Sequence, residues 1–156
     1  MTPEGMVHAL EEIHRLLKPD GNLIDIHPVA DAPLIEVYQG GRVLFAQPMP
    51  DYSTEDYRQA DSALAQAIQR RIFVIERSGQ FDYLVYGSSV TELRDYVAET
   101  NAFVDKPEDE AVSALEEEFI ARVEGIMQGA GEGAEVATHE RIHIARLRPV
   151  KRLLQN

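Results

Sequence analysis

Asp25 and His27 stand one residue apart in the run Leu23-Ile24-Asp25-Ile26-His27-Pro28. On an extended chain alternate residues share a face, so this carboxylate and this imidazole point the same way. A carboxylate that orients an imidazole makes a general base suited to neutral pH. His27 closes the run, and in open α/β sheets ligands gather beyond the carboxyl ends of strands. No Ser or Thr nucleophile pattern accompanies the pair. The chain has no cysteine, which removes thiol chemistry, disulfides and Cys-based metal sites. Asp25 and His27 are therefore the candidate pocket residues, and no residue is assigned a catalytic role. The plainer reading makes them polar residues on a partly solvated edge strand.

Two other stretches imitate known chemistry. His139-Glu140-Arg141-Ile142-His143 matches H-E-x-x-H, in which two His on one helix face hold zinc and the Glu acts as base. Arg141 puts a positive charge inside the motif, and the flanking alternation favours a strand. No Asp, Glu or His follows His143 to complete a ligand set. On a strand, residues 139 and 143 keep a common face while Glu140 points away. The expectation is two exposed His on a charged strand, and no metal. Gly129-Ala130-Gly131-Glu132-Gly133 has the composition of a loop that cradles a ligand, which works after a buried strand and before a helix. Here a helix precedes it and Glu132 adds negative charge, so it reads as a C-cap and linker.

The elements that position these residues follow from periodicity and punctuation. Met6, Leu10, Ile13 and Leu17 recur at helical spacing, with Glu11, Glu12 and Arg15 on the other face. Thr2-Pro3-Glu4 reads as the helix start. Pro19 stops the helix, and Asp20-Gly21 makes a tight turn through backbone angles open to Gly. Leu23, Ile24 and Ile26 then read as a largely buried strand. Pro28 and Pro33 bracket an irregular link. Residues 34–38 and 43–46 form a hairpin around Gln39-Gly40-Gly41-Arg42.

Ser53 and Asp56 suggest a capping box for a helix through Arg70, with Tyr57, Ala60, Leu64, Ala67 and Ile68 apolar. Residues 72–76 and 81–86 are strands around Ser78-Gly79, either a second hairpin or one long ribbon. Ser89 and Glu92 form a better capping box, for a short helix with Val90, Leu93, Tyr96 and Val97. Lys106-Pro107-Glu108-Asp109 starts the longest helix, with a stripe of Val112, Leu115, Phe119, Val123 and Ile126 and a C-cap at Gly129. Residues 135–148 stand between helix and strand; their β-branched alternation favours a long strand. The whole predicts an α/β or α+β fold, a mixed β-sheet with packed helices.

The run Leu17-Lys18-Pro19-Asp20-Gly21, with its flanking helix and strand, resembles the helix, turn and fifth strand of class I S-adenosylmethionine-dependent methyltransferases, usually Leu-Lys-Pro-Gly-Gly. One bacterial branch of that family is similar further on. It has an Asp-Ile-x-Pro-Val-like strand end, as in Asp25-Ile26-His27-Pro28-Val29, and a Phe-x-x-Leu-x-Tyr ribbon, as at 81–86, before a Ser-capped helix. A basic strand similar to residues 141–148 closes it. The resemblance concerns the second half of the family's domain. The first half, with its Gly-rich loop and its acidic residue for the cofactor ribose, is expected to have no counterpart here.

The resemblance thus implies a methyltransferase-related protein without independent cofactor binding, acting as a binding, regulatory or subunit domain. The alternative is an S-adenosylmethionine-dependent methyltransferase, as a fragment of a longer protein or completed by another polypeptide. A hydrolase-like activity of Asp25 and His27 is a further enzyme reading. In the family the strand equivalent to residues 23–27 lies mid-sheet. Losing its neighbours would bare an edge beside Leu23, Ile24 and Ile26, to be covered by the 34–46 hairpin or by a second copy. A two-fold homodimer is expected.

Composition bounds the rest. At 156 residues the chain suits one domain, read as 1–150 with a tail at 151–156, and such a domain buries about 70% of its unfolded surface. With 44% apolar and 27% charged residues it is an ordinary globule. No apolar run approaches the ~20 residues of a membrane span and no signal-peptide pattern opens the chain, so a cytoplasmic protein without a membrane partner is expected. A net charge of −12 disfavours nucleic acid. Arg141, Arg146, Arg148, Lys151 and Arg152 read as solubilising charge on a strand and tail. A small molecule or a partner protein remains as ligand.

Overall fold

The computed structural model describes residues 3–18, 20–101 and 114–150. Thr2, the Pro19 stop, the side chain of Val97, the helix start at 106–109, Val112 and the 151–156 tail lie outside the described residues. The elements in order are α1 (Pro3–Leu16), β1 (Leu23–Pro28), β2 (Leu34–Gln39), β3 (Arg42–Pro48), α2 (Glu55–Gln69), β4 (Phe73–Gly87), α3 (Val90–Asn101), α4 (Ala114–Ala130) and β5 (Ala134–Pro149). The fold is mixed α/β, with four helices and a five-stranded antiparallel sheet among the described residues. The mixed sheet expected from the sequence is corrected on this point. A parallel pair needs a helical crossover, whereas β2 and β3 are joined by a tight hairpin and pair antiparallel.

The strand shared by the others is β5. β1 pairs with its C-terminal half, from Leu23↔Leu147 to Pro28↔Ile142, and β2 with its N-terminal half, from Leu34↔His139 to Gln39↔Ala134. β4 also pairs with β5. The chain gathers into two compact units, one of Met1–Asp31, Ser53–Asp82 and Arg141–Asn156, the other of Ala32–Tyr52 and Tyr83–Glu140.

In the first unit Leu64, Ala67, Phe73, Ala145 and Leu147 form a core, against which Leu10, Ile13, Leu17, Leu23, Ile68 and Ile72 pack. Of the expected helical stripes, Leu10, Ile13, Leu17, Leu64, Ala67 and Ile68 reach this core, Met6, Tyr57 and Ala60 are half-buried, and Val7 and Ala63 are further buried positions. The buried reading of β1 is corrected: Ile24 and Ile26 are 52% and 58% exposed. β1 pairs only with β5 among the described strands, so one face and one edge stay open. Gly21 is present for space rather than for unusual backbone angles. A Cβ there would lie 3.1 Å from the Lys18 carbonyl oxygen and 3.2 Å from Leu17 Cδ2. The cap of α2 is Thr54, without a side-chain cap hydrogen bond, so the Ser53–Asp56 box is not formed. The helix ends with Arg71 at φ 57°, with Arg71 N donating to Ile68 O and Ile72 N to Ala67 O. That is a Schellman ending with Arg where Gly is usual.

In the second unit Ile35, Val37, Val90, Leu93, Val123 and Val136 form the core, lined by Phe45, Phe119 and Ile126 among others. The hairpin is as expected. Gly40 and Gly41 hold φ 57° and 76°, the left-handed pair that a type I′ turn requires. Residues 73–76 and 81–86 lie within the single strand β4, one long ribbon, which excludes a hairpin at Ser78-Gly79. Ser89 caps α3 through its Oγ, which accepts from Glu92 N at 3.1 Å. Glu92 in turn accepts from Ser88 N and Oγ, which holds its carboxyl below the usual range. Leu115 and Tyr96, read as stripe positions, are exposed. α4 runs through Gly129, and the left-handed ending is Gly131 at φ 87°.

Candidate functional site

In the first unit Asp25 and His27 lie on the same side of β1, as alternation requires, and His143 of β5 is the direct cross-strand partner of His27. Paired residues on antiparallel strands bring their side chains within ~5 Å, which is why the two imidazoles meet. Their ring centroids are 5.1 Å apart at an interplanar angle of 51°. Asp25 Oδ2 lies 2.8 Å from His27 Nδ1 and 3.6 Å from His143 Nδ1. Asp61 comes from α2, whose buried Ala63, Leu64 and Ala67 fix the helix on the core and leave Asp61 outward. Its Oδ1 lies 2.9 Å from His27 Nε2.

The electrostatics are those of one imidazole between two carboxylates with a second imidazole alongside. The His27 side chain is only 11% exposed. Asp25 Oδ2, His27 Nδ1 and His143 Nδ1 are all shielded from solvent, and none makes a hydrogen bond of acceptable geometry. Ligand atoms of Asp25, His27 and His143 all lie within 4.8 Å of one another, the spacing at which one ion can be held. Chemically the group can bind a cation, share a proton, or orient an imidazole as a base.

The H-E-x-x-H stretch lies on β5, the strand favoured from its alternation. Its two His have different carboxylates: His143 faces Asp25, whereas His139 Nδ1 lies 3.3 Å from Glu36 Oε1 in the second unit. Glu36 is buried and also accepts from the Tyr38 hydroxyl, a bond that pushes this phenol well above its ordinary value. Burial raises the Glu140 carboxyl. The Gly129–Gly133 stretch follows α4 and opens β5, with Gly131 and Gly133 at φ 87° and 81°. A phosphate cradle needs the reverse order, strand then helix. The stretch therefore lacks the strand–loop–helix order that brings a Gly-rich loop and a helix N-terminus against a ligand.

Sequence reading set Asp25 and His27 on one face, as they are, but did not place His143 and Asp61 beside them. Alternation marked His143 as a one-faced strand residue, but register with β1 has no local signature. Asp61 sits in no motif that sets it apart from the other acids of the chain. No helix among the described residues is long and apolar enough to cross a membrane. No protein-family model, curated protein or solved structure matches the chain.

Proposed function

We propose that the protein is a methyltransferase-related binding domain that works in the cytoplasm without S-adenosylmethionine of its own, with Asp25, His27 and His143 as its ligand site. The observation that carries this is the convergence of three shielded polar atoms that lack hydrogen bonds. Asp25 Oδ2 stands 2.8 and 3.6 Å from the two imidazole nitrogens, so these shielded atoms rely on one another rather than on water, which supports a prepared position. The reading that an enzyme is completed by another polypeptide draws on a different observation, the open edge of β1 beside exposed Ile24 and Ile26.

Two measurements test the proposal. Calorimetry of the isolated chain with S-adenosylmethionine is expected to give no binding; a micromolar Kd, or methyl transfer by the chain alone, overturns it. Ring-proton NMR of His27→Gln is expected to move the His143 resonances, because the rings are neighbours. Unmoved His143 signals mean that the site is not assembled.

A further inference from the structure

Building on that site, we infer that its ligand is a single divalent transition-metal ion of the zinc class. Asp25 Oδ2, His27 Nδ1 and His143 Nδ1 hold the ion, and Asp61 orients His27. A tetrahedral ion with bonds of about 2.0–2.1 Å sets its ligand atoms about 3.3 Å apart. The separations of Asp25 Oδ2 from the two imidazole nitrogens, 2.8 and 3.6 Å, bracket that value. Small side-chain rotations bring both onto it. Two of the three ligands stand on β1 and the third is their cross-strand neighbour, so two hydrogen-bonded strands fix the backbone beneath the ion.

Asp61 supplies a second, independent observation. Its Oδ1 lies 2.9 Å from His27 Nε2, where a carboxylate can accept that nitrogen's proton; in the neutral tautomer so fixed, Nδ1 offers its lone pair on the Asp25 side. A carboxylate behind an imidazole is the common outer support of metal-binding His, fixing both its tautomer and its ring plane. Two imidazoles with one carboxylate suit zinc, cobalt, nickel, copper or ferrous iron, and suit calcium or magnesium poorly. Three protein ligands leave at least one position of a tetrahedral ion for water or a small anion. The net charge of −12 favours a cation at any such site. His139 is not part of the centre, so the ligand set is not the one that H-E-x-x-H implies.

The competing occupant is a proton, with His27 as an imidazolium clamped between Asp25 and Asp61. The test uses the untagged full chain, stripped with chelator and titrated with ZnCl2 by calorimetry and with Co2+ by visible absorption. One equivalent of each is expected, with the Co2+ spectrum of a low-coordinate nitrogen–oxygen site. His27→Gln and His143→Gln abolish stoichiometric uptake, and His139→Gln leaves it unchanged. Asp61→Asn weakens affinity by about 10–100-fold. This last variant lies on the exposed side of α2 and keeps the test decisive if a strand variant fails to fold. Absence of saturable uptake by the folded chain overturns the inference, as does uptake that survives loss of both His27 and His143. If NMR in the presence of Zn2+ shows both ring nitrogens of His27 protonated, the occupant is a proton. The metal is then wrong while the site stands, whereas His143 signals that ignore His27→Gln remove the site itself.

Discussion

The buried Glu36 carboxylate accepts from the Tyr38 hydroxyl and faces His139, so removing the hydroxyl leaves a buried acceptor one donor short. Tyr38→Phe is expected to destabilise the protein by about 1–2 kcal/mol at pH 7, read by denaturant unfolding. The folded pKa of this phenol lies above its ordinary 10.0, so its contribution is complete below pH 10 and declines as pH rises further. The gap between Tyr38→Phe and wild type should therefore narrow in alkali. Glu140 is also raised, by burial, and so favours the fold most below pH 4.5 and progressively less as pH rises through its folded pKa. Glu140→Gln is expected to raise the melting temperature at pH 7 and to change it little at pH 4; calorimetry at both values decides. At this scale the sequence showed which residues share a face, because alternation is local. It could not show that Tyr38 donates to Glu36, or that burial raises Glu140.

Turns and caps carry the signals that were easiest to read, and their exceptions are instructive. The Gly40-Gly41 hairpin and the Ser89 cap of α3 are where short motifs place them, since each depends on a few consecutive residues. Gly129 looked like a helix stop, but the helix continues to Ala130 and only Gly131 is left-handed. Three glycine-rich residues in five cannot be ranked without the backbone. A Cβ at Gly129 meets nothing within 4 Å, so Gly129→Ala is expected to stabilise by roughly 0.5–1 kcal/mol, whereas Gly41→Ala loses about 1–2 kcal/mol. Arg71 holds the left-handed position after α2, which suits Gly better. Arg71→Gly is expected to gain up to about 1 kcal/mol. Thermal unfolding of the three variants side by side checks all three signs. The Ser53–Asp56 box fails because Thr54, one residue later, is the buried cap residue.

Across the whole chain, each compact unit has its own core, one around Phe73 and Leu147 and the other around Val37 and Val123. Phe73→Ala is expected to remove about 3–5 kcal/mol, measured by denaturant unfolding, because the ring is fully buried. The open edge of β1, with Ile24 and Ile26 exposed beside it, bears on assembly. Such an edge pairs readily with another chain, and two-fold closure is the simplest way to cover it. Light scattering at micromolar concentration is expected to give twice the 17.5 kDa chain mass, and Ile26→Lys to return it to one. A stable wild-type monomer rules the dimer out.

What the sequence by itself determined is local: helix and strand identity over most of the described chain, the Gly-Gly turn, the Ser89 cap, and the common face of Asp25 and His27. These depend on side-chain period and backbone preference within a few residues. Only the tertiary structure decided that β5 lies beside β1 in the register that sets His143 against His27, and that α2 brings Asp61 to the same imidazole. It also decided which residues of β5 are buried: Val136 and Ala137 early in the strand, and Ile142, Ala145 and Leu147 later, a set that includes both parities. Register joins residues far apart in the chain, where period and propensity no longer reach.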